Sequence, residues 1–185
     1  FATYGGTFEF CGATVTESSE ITANQDCTHI DSPSTSGGTL NTAGIYLNCS
    51  GFSLSGTSTT TTFGIKTTAN NINITKCINI RNFGFNLNIS STNVTIIDSN
   101  LTNGGSRIDV WLNKSVNATF INVTFTSDAK IMVNTSSILF TQYYVIVNVT
   151  NATLRPFANA SVSVYNVSTA GNDHGSKLSG TTDSN

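Results

Sequence analysis

Apolar and polar residues alternate along this chain in short stretches, and the stretches recur. In register, residues 64–83 read GIKTTANNINITKCINIRNF, 84–106 read GFNLNISSTNVTIIDSNLTNGGS, and 107–125 read RIDVWLNKSVNATFINVTF. Each line opens on an alternating segment: Ile65, then Phe85 and Leu87, then Ile108, Val110 and Leu112. A polar turn carrying Asn follows, and a second alternating segment closes it: Ile72 and Ile74, Val94 and Ile96, Ala118 and Phe120. Alternation of period two predicts strands, because successive side chains of a strand point to opposite faces. Ile, Val, Thr and Phe fill these positions, as a pleated, half-buried surface prefers. A repeat of roughly 20 to 25 residues is the spacing of solenoid proteins. Strands repeated in one direction at that spacing stack in parallel, which predicts a β-solenoid. Its inward rows are expected to hold Ile65, Phe85, Val110 and Ile131 on one side, and Ile74, Ile96 and Phe120 on another. The first regular coil is AGIYLNCSGFSLSG (43–56) and the last is AKIMVNTSSILF (129–140). About five coils at ~4.8 Å each predict a stack on the order of 24 Å tall.

The flanks differ from the repeats. Residues 1–10, FATYGGTFEF, carry aromatics at Phe1, Tyr4, Phe8 and Phe10 and a single charge. A solenoid presents unpaired edges and an apolar interior at each end, so it needs a cap. This segment serves either as that cap or as a strand lent to a neighbouring subunit. Thr14–Thr16 and Ile21–Ala23 are candidate short strands, Ser32–Gly38 is a loop by its Pro, Gly and Ser content, and Ser55–Thr62 is a low-complexity loop. After Thr141 the alternation lengthens, through Val145, Val147 and Val149, then a turn at Leu154–Phe157, then Ala160, Val162 and Val164. We therefore divide the chain into an N-terminal cap, arm and irregular first coil (1–43), the solenoid (44–141) and a second all-β unit (142–185).

The runs CG…C at 11–27, IYLNCSGFSLSG, NINITKCINIRNFGF and TNVTIIDSNLTN resemble the right-handed parallel β-helix repeat proteins of the pectin-lyase-like class, in the form found on archaeal and bacterial cell surfaces. The resemblance covers roughly residues 11–140 and implies a right-handed coil with three strands per turn. Its motifs are degenerate and speak to architecture more than to activity. A leucine-rich repeat also places Asn at turns, but its L-x-x-L-x-L spacing is absent. The V-x-V strand, proline turn and A-x-V-x-V strand after Tyr143 are similar to the opening of Ig-like or carboxypeptidase-regulatory-like β-sandwich domains. At most three strands precede the end of the sequence, too few for a closed sandwich, so either the natural chain continues or another subunit completes it. The expected fold is all-β: a short parallel β-helix followed by a partial Ig-like sandwich.

Composition narrows the setting. Charged residues are 10% of the chain and the net charge is −2, which gives no electrostatic footprint for nucleic acid or an anionic membrane. No apolar run approaches the ~18 residues of a membrane span. The sequence opens on Phe1, which suggests a processed protein or a fragment. Asn-x-Ser/Thr occurs at Asn48, Asn73, Asn88, Asn93, Asn100, Asn113, Asn117, Asn122, Asn134, Asn148, Asn151, Asn159 and Asn166, thirteen in all. With 23 Asn and 53 Ser plus Thr in 185 residues, chance gives roughly 7. Turn asparagines and outward threonines account for part of that excess without any sugar. The remainder points to N-glycosylation, with Asn88, Asn113 and Asn134 expected to face outward. The cysteines Cys11, Cys27, Cys49 and Cys77 include no C-x-x-C pair. With only His29 and His174 to assist, they read as disulfides of an oxidising compartment rather than a zinc site. Cys11–Cys27 is the favoured pair, which leaves Cys49–Cys77; buried free thiols are the alternative.

Parallel β-helices include lyases and hydrolases, whose chemistry needs particular side chains close together. Glycoside hydrolysis needs two carboxylates about 5 to 9 Å apart, whereas Asp98, Asp109 and Asp128 are isolated in sequence and read as solvated surface charges. Arg81, Arg107, Lys76 and Lys130 are scattered. One methionine, Met132, and two histidines make no soft-metal site. Neither a phosphate-binding glycine loop nor a nucleophile–base pattern is present. Asn71, Asn93 and Asn117 fall at equivalent turns and predict an asparagine ladder. No cofactor and no catalytic residue is expected. The sequence reads as a non-catalytic, glycosylated extracellular structural protein, a head-to-tail homo-oligomer in a cell-surface filament, sheath or S-layer-like assembly, with Phe1, Tyr4, Phe8 and Phe10 as the assembling segment. The alternative is a carbohydrate-binding or polysaccharide-degrading module of a larger exported protein, for which Trp111, Tyr46 and Tyr143-Tyr144 are the candidate aromatics.

Overall fold

The computed structural model describes residues 9–28, 36–57, 59–101, 108–114, 116–127, 130–144, 150, 161–167 and 173–181. They fall in two units, residues 1–144 and 145–185. In the first unit the chain winds as a parallel β-solenoid. The first coil comprises β1 (Thr14–Val15), β2 (Ser19–Glu20) and β3 (Gln25–Asp26), and the second β4 (Gly38–Leu40), β5 (Tyr46–Asn48) and β6 (Ser53–Ser55). The third comprises β7 (Phe63–Thr67), β8 (Asn73–Thr75) and β9 (Asn79–Arg81). In the fourth and fifth, β10 (Phe85–Ile89) and β12 (Ile108–Leu112) are followed by the long strands β11 (Val94–Leu101) and β13 (Asn117–Phe125). A further, partial coil holds β14 (Ile131–Val133) and β15 (Ile138–Gln142). In the second unit, β16 (Ser161–Val167) and β17 (Asp173–Thr181) pair antiparallel.

Among the described residues the solenoid strands form three sheets. Sheet A runs β1-β4-β7-β10-β12-β14, sheet B runs β2-β5-β8-β11-β13-β15, and sheet C begins β3-β6-β9. Sheet C continues where β11 and β13 turn the corner, with Ser99, Asn100 and Leu101 opposite Val123, Thr124 and Phe125. The strands therefore start at Thr14, upstream of the first coil that hydrophobic periodicity marks, because β1 to β3 are only two residues long and too short to display a period.

The core is the axis of the coil. On sheet B, Ile74, Ile96 and Phe120 lie in register and are buried, the expected inner row, and Leu47 extends it one coil back. On sheet A the inner row is Ile65, Leu87, Val110 and Ile131, with Leu87 in place of the expected Phe85. Phe85 instead shares a row with Phe63 and Ile108, and all three are half-buried. The cause is a corner. The three five-residue strands of sheet A, β7, β10 and β12, enter with their second and third residues both buried (Gly64-Ile65, Asn86-Leu87 and Asp109-Val110), so strict alternation does not run through their start.

Corners between sheets B and C are turned by single residues in the left-handed region: Ser50, Lys76, Asp98 and Asn122, with φ of 50°, 55°, 48° and 52°. Asn71 and Asn93 do the same before sheet B. Asn and Asp tolerate this conformation better than other side chains, which explains their abundance at the turns. Asn93 Nδ2 donates to Asn71 Oδ1 at 3.1 Å, one rung of the expected ladder.

Candidate functional surfaces

Two disulfides lie in the first three coils, Cys11–Cys27 with Cα atoms 5.3 Å apart and Cys49–Cys77 at 4.7 Å. Cys11 precedes β1 and Cys27 follows β3, so the first bond closes a single coil around its circumference. The second runs along the axis, tying the second coil to the third. No cysteine is free.

Phe10, expected to be part of an assembling arm, is fully buried in its own subunit. Its ring lies where a Cβ on Gly38 would sit 2.4 Å away, and its backbone N–H donates to the Gln25 Oε1 at 2.9 Å. An aromatic this close to the axis fills the end of the first coil, and that packing takes Phe10 out of any role in a neighbour. Phe1, Tyr4 and Phe8 lie outside the described residues.

The sequons divide by exposure. Asn73, Asn93, Asn117, Asn122 and Asn134 are exposed, and Asn48, Asn100 and Asn113 are half-buried. Asn88, expected to point into solvent, is only 8% exposed; its Oδ1 accepts from the Ser90 hydroxyl at 3.2 Å. It faces outward, but it stands in register between Lys66 and Trp111, long side chains on either side. Asn148, Asn151 and Asn159 lie outside the described residues, as does the side chain of Asn166.

Among the acidic residues, Asp109 is not a solvated surface charge. It has no exposed area and sits inside sheet A, where Oδ1 accepts from Asn86 Nδ2 at 3.2 Å and Oδ2 from the Thr126 N–H at 2.7 Å. The corner that buries positions two and three of β7, β10 and β12 also buries this carboxylate, and hydrogen bonds offset its desolvation. Asp98 stands on the bend between sheets B and C and accepts from Asn122 Nδ2 at 2.8 Å. The two carboxylates thus belong to different walls of the coil. Asp128 and Arg107 lie outside the described residues, as does His29; Arg81 and Lys76 are exposed and Lys130 is half-buried. Among the described residues, no three His, Cys, Asp or Glu side chains group as a metal site. No helix among them is long and apolar enough to cross a membrane.

The outer face of sheet A gathers aromatics that periodicity had assigned to the core or left single. Phe85 and Trp111 stack with centroids 4.6 Å apart and planes at 27°. The Lys66 ammonium lies 5.4 Å from the centre of the Phe63 ring. Beside Trp111 is an open groove of about 420 Å³ lined by Ile131, Met132, Val133, Asn134 and Thr135. Aligning the three strand sequences FGIKT, FNLNI and IDVWL by their burial, rather than by strict alternation, places Phe63 and Phe85 in this outer row. Tyr46 belongs to sheet B, a different wall.

The last coil exposes several large apolar side chains together, where among the described coils before it only Ile78 of the third is comparably exposed. Met132, Val133, Ile138 and Phe140 are 46%, 45%, 50% and 51% exposed, and Tyr143 and Tyr144 follow at 58% and 59%. In register one coil back, Ile138 stands over Asn117 and Phe140 over Thr119. Outward positions that are polar in the fifth coil thus become apolar in the last. Comparison with protein-family models, with known proteins and with solved structures finds no match to this chain.

Proposed function

We propose that this chain is a non-catalytic, N-glycosylated extracellular structural protein, a subunit of a cell-surface filament, sheath or S-layer-like assembly. The observation that carries the reading is the placement of its sequons. Of the nine whose asparagines are described, five are exposed on the outside of a disulfide-bonded solenoid. Glycans there hydrate a surface that has few charges of its own, and disulfides persist in the oxidising setting such a protein occupies. The likeness to pectin-lyase-like repeats supports right-handed winding and the same extracellular setting. The β16–β17 hairpin is compatible with an Ig-like second unit.

Native material decides the matter. Intact mass above the 19.5 kDa of the polypeptide, with hexose-containing peptides at Asn73, Asn93 or Asn117, is the expected result. Electron micrographs should show extended assemblies. Bare polypeptide mass in material that never polymerises overturns the reading.

A second reading, a carbohydrate-binding or polysaccharide-degrading module, is favoured by the Phe85–Trp111 stack and its neighbouring groove, since sugars pack their C–H faces on aromatic rings. Titration with soluble polysaccharides tests it. Heat on binding that Trp111→Ala abolishes supports this second reading over the first.

A further inference from the structure

We propose that the open end of the last coil is a two-fold interface, in which β15 of one copy pairs antiparallel with β15 of a second copy around Phe140. The inference rests on the reading of this protein as an assembling subunit and names the joint. Three observations carry it. The first is the edge itself. Within the described residues β14 and β15 end their sheets, and β15, at five residues, presents a longer unpaired ladder than β1 or β2 at the opposite end. An unpaired edge of that length is a template for another strand.

The second is chemistry. Residues 131–144, IMVNTSSILFTQYY, contain no Asp, Glu, Lys or Arg. None of the charges that usually blunt an edge is present, and a surface laid against its own copy meets no like-charge repulsion. Met132, Val133, Ile138, Phe140, Tyr143 and Tyr144 are each about half exposed. Covering them on two copies removes roughly 1,000 Å², about the lower bound for a specific interface. An interface of this size belongs with reversible contacts rather than obligate ones.

The third is the far end, which does not complement this one. There Phe10 plugs the axis, Cys11–Cys27 closes the coil, and Glu17, Glu20 and Asp26 lie exposed around two-residue strands. A heterologous contact between the two ends would set an apolar edge on an acidic cap. The isologous contact sets apolar on apolar, and it closes. The repeating unit of any larger assembly is then a dimer.

The test uses the full chain. Sedimentation should show a concentration-dependent monomer–dimer equilibrium. Ile138→Lys with Phe140→Lys should weaken it more than about 10-fold by placing four like charges across the axis, with an unchanged circular-dichroism spectrum. Thr119→Lys, one coil back, should leave it intact. Because every native cysteine is bonded, Phe140→Cys adds a single thiol. Only a two-fold centred there brings residue 140 against its own counterpart at disulfide distance, so mild oxidation should give a covalent dimer. A chain that stays monomeric to about 100 μM overturns the proposal. So does a dimer indifferent to the lysines, or one lost when residues 1–8 are deleted, which marks an arm exchange instead. If micrographs of native material still show assemblies after such a result, the structural-subunit reading stands and only this joint falls.

Discussion

The first and last coils of the solenoid are built from the same kind of strand and finish in opposite ways. At the first, Phe10, Val15, Ile21 and Cys27 are buried, and a disulfide joins the coil's beginning to its end. At the last, Ile131 and Leu139 are only partly covered, and Val133 and Phe140 are about half in solvent. In a solenoid each coil is packed by its neighbours, so a terminal coil has half the contacts of an internal one unless something replaces them. Phe10 and Cys11–Cys27 are that replacement at one end. Among the described residues, a side chain and a covalent bond close this end.

Removing the same side chain at each end tests this most severely. Phe10→Ala empties a site from which solvent is excluded and should destabilise the solenoid by about 3 to 5 kcal/mol. Phe140→Ala removes a ring already half in water and should cost under about 1 kcal/mol in the monomer. Urea unfolding followed by fluorescence of Trp111 reads both. Equal losses at the two ends would show that the first coil is not specially capped.

Disulfide removal comes next in size. In the chain-entropy model Cys11–Cys27, spanning 16 residues, contributes about 3 kcal/mol, and Cys49–Cys77, spanning 28, about 3.5 kcal/mol. Paired Cys→Ser variants should lose stability in that order, with one further difference. The circumferential bond holds only the first coil, so its loss should raise amide exchange at residues 14–26 while exchange at β10 and β12 stays slow. The axial bond joins two internal coils, and its loss should raise exchange from β5 to β9. Uniform acceleration across all coils in both variants would mean that the solenoid unfolds as one unit, and that the two bonds are not local in effect.

Much of this architecture was legible in the sequence because parallel stacking repeats its own evidence. Ile74, Ile96 and Phe120 recur at nearly constant spacing, and each recurrence confirms the others. Illegible were the places where the backbone bends. Phe85 reads as core by strict alternation and Asp109 as surface by its isolation in sequence, and the same corner, where two consecutive residues turn inward, overturns both. The first coil is legible only as irregular, with a short strand at Thr14 but the next expected at Ile21–Ala23 instead of Ser19–Glu20, because two-residue strands have no period to place them. The plug at Phe10 was hidden by its neighbours, since an aromatic-rich terminal segment reads equally as cap or as arm, and only Gly38, which leaves space for the ring, distinguishes the two. The outer aromatic face of sheet A follows from the same corner, so aligning strands by coil position rather than by alternation would have found it.

The smallest prediction sharpens the comparison among internal coils. The bend between sheets B and C is made by Ser50, Lys76, Asp98 and Asn122 in successive coils, all at positive φ. The backbone conformation is shared, but its energy is not, because an L side chain in the left-handed region costs roughly 1 to 2 kcal/mol and Asn and Asp recover part of that through local hydrogen bonds. Asn122 makes such use of its side chain, donating to Asp98 in the coil below. Lys76 is exposed, and no hydrogen bond that it makes through its side chain is needed to hold the bend, which its backbone N–H secures by donating to Ile97 O at 3.0 Å. Lys76→Asn should therefore stabilise the solenoid by about 0.5 to 1 kcal/mol, through relief of strain rather than any new packing. Lys76→Gly should do the same or slightly less, because glycine removes the steric cost but adds freedom to the unfolded chain. Lys76→Ala is the control that keeps a Cβ and loses the charge, and it should gain nothing. If alanine stabilises as much as asparagine, the lysine's charge and not its backbone conformation is what the third coil tolerates, and the shared bend is no guide to the energy of each coil.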